Sequence, residues 1–202
     1  MSRATVVDAA LGLVGLTYPA DAYLAAVAPA EVAAGNLARA REMGRQSDCA
    51  LLWIGGIAVG VFGAEARPYR DTTAFQVVYE LAGGPCASPW HLAGAVRRPT
   101  LESPPQLGDG LVWGASAGAV AHVDAAVVDL ELDGDVCALS VVAGGQRDGA
   151  GAETVKQLPR TIRWVPYSLA AGRSIGPHWV DTTNGRPLLA VLDADLMAER
   201  YP

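Results

Sequence analysis

Residues 50–62 read Ala-Leu-Leu-Trp-Ile-Gly-Gly-Ile-Ala-Val-Gly-Val-Phe, with no polar side chain on any face. A segment apolar all round has to be covered all round, so the rest of the chain must be built about it. It is too short to cross a bilayer, and no charge-free apolar stretch of the chain reaches the length of a membrane span. It follows Gln46-Ser47-Asp48-Cys49, where Ser47 or Asp48 can cap a helix. The expectation is a central, buried helix that opens at Cys49. Gly55, Gly56 and Gly60 are poor helix formers, and close packing against other backbone accounts for them.

What surrounds this run differs on its two sides. Residues 1–98 are rich in Ala and Leu and read as helices: about 3–15, ending before Tyr18-Pro19; from Asp21; from Pro29, suited to a first helical turn, to about Gly44; then 72–82 and 88–97. Residues 109–193 alternate apolar and polar positions. Strands fit Gly110–Gly114, Ala121–Leu130, Val136–Ala143, Glu153–Leu158, Thr161–Val165, His178–Asp181 and Leu188–Leu192, with turns at Asp133-Gly134, Gly144-Gly145 and Asn184-Gly185. A short helix over Ala194–Arg200 closes the chain. Helix runs followed by strand runs define an α+β class. A single domain over 1–202, helical to about 98 and β from about 109, with one strongly curved antiparallel sheet on the buried helix, suits the length of 202 residues.

Composition narrows the function classes. With 51% hydrophobic and 18% charged residues, the chain can fill a core and is unlike a disordered one. Lys and Arg number 15 against 21 Asp and Glu, a net charge of −6, so the basic surplus of a nucleic-acid binder is missing. Asp8 interrupts the first apolar stretch, which reads as an amphipathic helix and not as a secretory leader. The location expected is the cytoplasm, or the outside by a specialised export route. Cys49, Cys86 and Cys137 are widely spaced, without a Cys-x-x-Cys pair, and His91, His122 and His178 stand apart. That pattern suits neither a zinc cage nor a disulfide framework, and no cofactor is expected.

A lone nucleophilic cysteine remains. Cys49 begins the most apolar helix, where the positive end of the helix dipole favours a thiolate and backbone N–H groups can hold an oxyanion. Cys137 lies inside an alternating strand and reads as core, and Cys86 sits in a Gly-Pro loop. His122 opens a strand after the glycine-rich Gly114–Val120 and can face a cleft from there, whereas His91 and His178 adjoin Trp90 and Trp179 and read as structural.

Taken in order, Asp48-Cys49-Ala50-Leu51, Pro105-Gln106-Leu107-Gly108-Asp109 and Ala121-His122-Val123-Asp124 are similar to the Asp-Cys-Ser-Gly helix start, the Pro-Gly-Asp strand opening and the Gly-His-Val-Gly strand of the NlpC-type papain-like cell-wall peptidases and their CHAP amidase relatives. The resemblance covers about residues 44–150. It implies a papain-like fold and cysteine hydrolysis of an amide bond, with a peptide or peptidoglycan fragment as substrate. Cys49 would be the nucleophile and His122 the base. A third polar group would orient the imidazole from the following strand. Gln146 is the nearest match for it, ahead of Asp124, which shares the strand face of His122, and of Asp148. The alternatives are acyl transfer by the same cysteine and a binding domain without activity.

Overall fold

The computed structural model describes residues 2–46, 48–64, 94–116, 119–147, 152–166, 168–170 and 173–202. The helix expected over 72–82 lies outside these residues, as do Cys86, His91 and Asp148. The fold is α+β. Helices α1 (Arg3–Leu13), α2 (Asp21–Val27), α3 (Pro29–Ala33), α4 (Leu37–Gln46) and α5 (Asp48–Leu52) come first. A π-helix over Trp53–Val59 continues α5 without a break. Among the described residues ten strands follow: β1 (Val96–Arg97), β2 (Gly110–Ser116), β3 (Ala119–Asp124), β4 (Ala126–Asp133), β5 (Val136–Arg147), β6 (Glu153–Val165), β7 (Ser168–Ala170), β8 (Arg173–Ile175), β9 (His178–Asp181) and β10 (Leu188–Leu192). Helix α6 (Ala194–Arg200) ends the chain, with Asp193 accepting from Asp195 and Leu196 N–H as its cap.

The single curved sheet expected from the sequence is two four-stranded antiparallel sheets, ordered β1-β10-β2-β3 and β4-β5-β6-β9, beside a small β7-β8 ribbon. The long strand expected over Ala121–Leu130 breaks at Ala125, and that one residue carries the chain from the first sheet to the second. Backbone bonds from Ala125 N–H to Val142 carbonyl (2.7 Å), Val127 N–H to Asp109 carbonyl (2.9 Å) and Gly108 N–H to Val127 carbonyl (2.8 Å) stitch the sheets there. Strand alternation then divides the core. Leu111, Trp113 and Val191 of the first sheet pack with Val127, Cys137, Val141 and Ile162 of the second. On the other face, Val112, Val123, Ala190 and Leu192 pack with the helices and the buried residues of α5 and the π-helix. The three layers are therefore helices, sheet and sheet.

Other departures have local causes. The helix expected from Pro29 to Gly44 is interrupted: Gly35 takes φ +74°, and Asn36 accepts from Arg39 N–H (3.3 Å) to cap α4, which runs through Gly44. Residues 94–97, expected as the end of a helix, are a turn and β1. The turn expected at Gly144-Gly145 is a bulge inside β5, with Gly145 at φ +70° and a register shift between Ala143 and Gln146. Two strands expected on either side of Pro159 are one, β6. The ladder between β6 and β9 spans only Ile162–Val165, so at Pro159 the strand has β5 on one side and no neighbour losing a donor on the other.

Two polar clusters occur inside this scaffold. One ties the ends of the chain together. Asp109, fully buried, accepts from Arg3 Nη1 (2.6 Å) and Arg97 Nη2 (3.0 Å), while Asp193 accepts from Arg3 Nη2 (3.1 Å) and Arg97 Nε (2.5 Å). Helix α1, strand β1, the loop before β2 and the start of α6 are thus held at one point. Asp109, part of the motif likened to Pro-Gly-Asp, belongs to this clasp.

The glycines of the central helix are explained by different neighbours. A Cβ on Gly55 would stand 2.0 Å from the carbonyl oxygen of Ala26, and one on Gly56 would meet Leu13 Cδ1 at 2.6 Å. Gly55→Ala should therefore cost roughly 1–3 kcal/mol through forced separation of α2 from the π-helix. Gly12→Ala, on α1 with open space about it, should gain about 0.5 kcal/mol from helix propensity. Urea unfolding midpoints moving in opposite directions for the two variants would check both.

Candidate functional site

The second cluster joins the helical layer to both sheets. Helix α5 packs against the edge strand β3, which brings the half-buried thiol of Cys49 close enough to the imidazole of His122 to act on its charge. His122 stands directly across the ladder from Trp113, and Asp124 across from Leu111. The chain therefore presents His122 and Asp124 on one strand face. His122 Nε2 lies 2.9 Å from Asp124 Oδ1. An ionised carboxylate only accepts, so Nε2 carries the proton and donates. Nδ1 is left to exchange a proton with the thiol.

The group bonded to the His122 ring in the structure is Asp124, which the sequence reading placed behind Gln146. Gln146 sits beyond the β5 bulge, paired in register with Thr154, and its Nε2 donates to its own Gly144 carbonyl at 3.1 Å. It makes no bond to His122 among the described residues. The bulge at Gly144-Gly145 turns the Gln146 amide back on the backbone. Asp148 lies outside the described residues.

Asp124 is fully buried and every lone pair has a partner. Oδ1 accepts from His122 and from Arg160 Nη2 (2.8 Å); Oδ2 accepts from Arg160 Nε (2.6 Å) and from Trp113 Nε1 (2.6 Å). Burial alone would push this carboxyl up, but the bonds and charges of His122 and Arg160 outweigh it and hold Asp124 below the ordinary carboxylate range. Arg160 is in turn fixed from two sides. Its Nη1 donates to Asp181 Oδ2 at 3.1 Å, and its guanidinium carbon lies 5.2 Å from the centre of the Trp113 ring. Asp181 is anchored by its own turn, accepting from Thr183 N–H (2.8 Å) and Asn184 Nδ2 (3.2 Å). Arg160, Trp113 and Asp181 were not singled out from the sequence. A signal for Arg160 exists: it interrupts a period-two row of Leu158, Ile162 and Trp164.

Burial of the imidazole opposes its charge. The hydrogen bond to the charged Asp124 and the interaction with Cys49 prevail and raise His122 from 6.5 to about 9. The other sulfur described is different in kind. Cys137 lies in the core between the sheets, and burial pushes its thiol up to about 11. His178 is buried with Nδ1 2.6 Å from Gly176 carbonyl, beside a Trp179 whose Nε1 donates to Thr100 carbonyl. Among the described residues no three His, Cys, Asp or Glu side chains are grouped to hold a metal ion.

The His122 ring signal should titrate by NMR with a midpoint near 9, and Asp124→Asn should lower it by removing the negative charge at Nε2. Because the folded value exceeds the unfolded one, His122 contributes stability that is complete below about pH 6.5 and lost as pH rises through about 9. Unfolding free energies of wild type and His122→Ala should thus differ most near pH 6 and converge by roughly pH 10.

Compared with protein-family models, with curated proteins and with solved structures, the chain finds no match in any of the three, so the reading of the site rests on its residues.

Proposed function

We propose that this protein is a cysteine hydrolase acting on an amide bond, with Cys49 as nucleophile, His122 as base and acid, and Asp124 as the residue that positions His122. The observation that carries the reading is the juxtaposition of the Cys49 thiol with the His122 ring, whose far nitrogen is hydrogen-bonded to a buried carboxylate. Such a line has the parts of an activated nucleophile: a thiol beside a base, and the base oriented by a third group. The α+β fold, with a helix carrying the cysteine and a strand carrying the histidine, is the arrangement implied by the resemblance to the NlpC-type papain-like peptidases. By that resemblance the substrate is a peptide of the peptidoglycan class.

The chemistry follows from the proton positions. In the reactive form the thiol proton already resides on Nδ1 of His122, the charged ring that Asp124 favours, and the sulfur attacks the scissile carbonyl carbon. The negative charge gathers on the carbonyl oxygen, where backbone N–H groups at the start of α5 are suited to receive it. The imidazolium then gives its proton to the leaving amine, leaving a thioester on Cys49. Water, deprotonated by the same ring, releases the acid and restores the thiol. Throughout, Nε2–H stays bonded to Asp124, which keeps the ring in the tautomer that exposes Nδ1.

Purified protein incubated with peptidoglycan fragments should release a new amine and a new carboxyl, detected as a hydrolysis product by mass spectrometry. Cys49→Ala should abolish the release with little loss of stability. Cys137→Ala should keep activity and lose roughly 1 kcal/mol of stability. Gln146→Ala should cleave at the wild-type rate, since its amide is spent on Gly144. Turnover persisting in Cys49→Ala would remove the nucleophile and the proposal with it.

A further inference from the structure

Asp124 is oriented from the far side of the molecule. Its strand supplies the carboxylate, but the two oxygens are gripped by Arg160, which comes from β6 of the other sheet, 36 residues further along the chain. The grip is side-on: Nε meets one oxygen and Nη2 the other, the fork geometry that fixes a carboxylate's plane as well as its place. Arg160 itself cannot swing. Asp181 holds Nη1, and the face of Trp113 lies against the guanidinium. Trp113 is also the cross-strand neighbour of His122 and a donor to Asp124, so the same ring lies against the arginine and bonds the carboxylate.

We propose that Arg160 is a positioning residue for the Cys49–His122 pair, acting through Asp124: the fork fixes the carboxylate so that Oδ1 faces His122 Nε2. The inference rests on the cysteine-hydrolase reading and adds to it a part drawn from the second sheet. The alternative for an arginine at this place is plain charge neutralisation of a buried acid. A point charge would serve for that, whereas orientation of the carboxylate plane needs the fork. Lysine in its place separates the two, because it keeps the charge but lacks the planar fork that fixes the carboxylate's plane. Among the described residues the charged and titratable groups facing this point are Cys49 from α5, His122 and Asp124 from β3, Arg160 from β6 and Asp181 from β9.

The test uses the full chain and needs no substrate. Wild type, Arg160→Lys, Arg160→Met and His122→Ala are compared by two readouts: the downfield proton signal of His122 Nε2–H, and the rate at which iodoacetamide alkylates Cys49 near neutral pH, followed on the Cys49 peptide by mass spectrometry. Amide spectra report that each variant is folded. Arg160→Met should lose the downfield signal and slow alkylation by about tenfold or more, the scale of effect of a small misplacement at an activated group. Arg160→Lys should weaken the signal and slow alkylation by a smaller factor, though the charge is retained. If Arg160→Met does not fold, Arg160→Lys decides: a weakened signal supports the proposal, and wild-type signal and alkylation overturn it. Alkylation unaffected by His122→Ala would instead remove the hydrolase reading, and the His122 signal would still decide whether Arg160 orients Asp124.

Discussion

A carboxylate cut off from water must receive from the protein every hydrogen bond that water would have given it. Asp124 has no exposed surface, and its four bonds come from three places: its own strand, the strand beside it and the opposite sheet. That requirement orders much of the molecule. Trp113 has to present its indole N–H inward, Arg160 has to occupy an interior position between apolar neighbours, and Asp181 has to follow to balance Arg160. Replacing such a network with apolar side chains of similar volume would not in general cost stability. Removing one member would, because the rest would be left buried and unpaired. The network is therefore better understood through what it does for His122 than as a source of stability.

Asp109 answers the same requirement at another place and for another purpose. It too is buried and gripped by arginines, but they come from the first helix and the first strand, and its neighbour Asp193 caps the last helix. No nucleophile or base stands beside it among the described residues. Two buried carboxylates with arginine partners thus have different roles, set by what else touches them: a backbone clasp at Asp109, a histidine at Asp124.

How far the sequence revealed these features depended on the range of the interaction. The start of α1 and α2, the proline opening α3, the hairpin at Asp133-Gly134 and the α+β class follow from local signals, and the structure has them. Cys49 and His122 were legible as a pair through the order and placement of their motifs. Asp124 was visible on the strand face of His122 but stood behind Gln146; at the edge strand β3, whose ladder with β2 is bulged just beyond His122, carboxylate and ring meet. Arg160 was hidden because it falls between the two strands expected, Glu153–Leu158 and Thr161–Val165; in the single strand β6 the row Leu158, Arg160, Ile162, Trp164 sets a cation among apolar residues. The turn inferred at Gly144-Gly145 came from an ambiguity, since two glycines serve a bulge as readily as a hairpin. The crossing at Ala125 has no turn residue at all; it is fixed by backbone bonds to Val142 and Asp109 that only the assembled sheets provide.

The signs along the polar line bear on how a thiol could work here. With the proton on sulfur, the line from Cys49 outward is neutral thiol, neutral imidazole, carboxylate, guanidinium, carboxylate. With the proton moved to His122, it becomes thiolate, imidazolium, carboxylate, guanidinium, carboxylate, and each charge has only opposite charges as its neighbours. The net charge is the same in both states, so the transfer adds no uncompensated charge to a buried region, where an unpaired one would be expensive. It extends an alternation already present by two members. Asp124 supplies the attraction that holds the imidazolium, and Arg160, one step further, keeps Asp124 from taking that proton itself. If Cys49 is the nucleophile proposed above, an arrangement of this kind would accommodate charge separation there without needing solvent to stabilise it. Such a site suits a nucleophile that has to be ready before its substrate arrives.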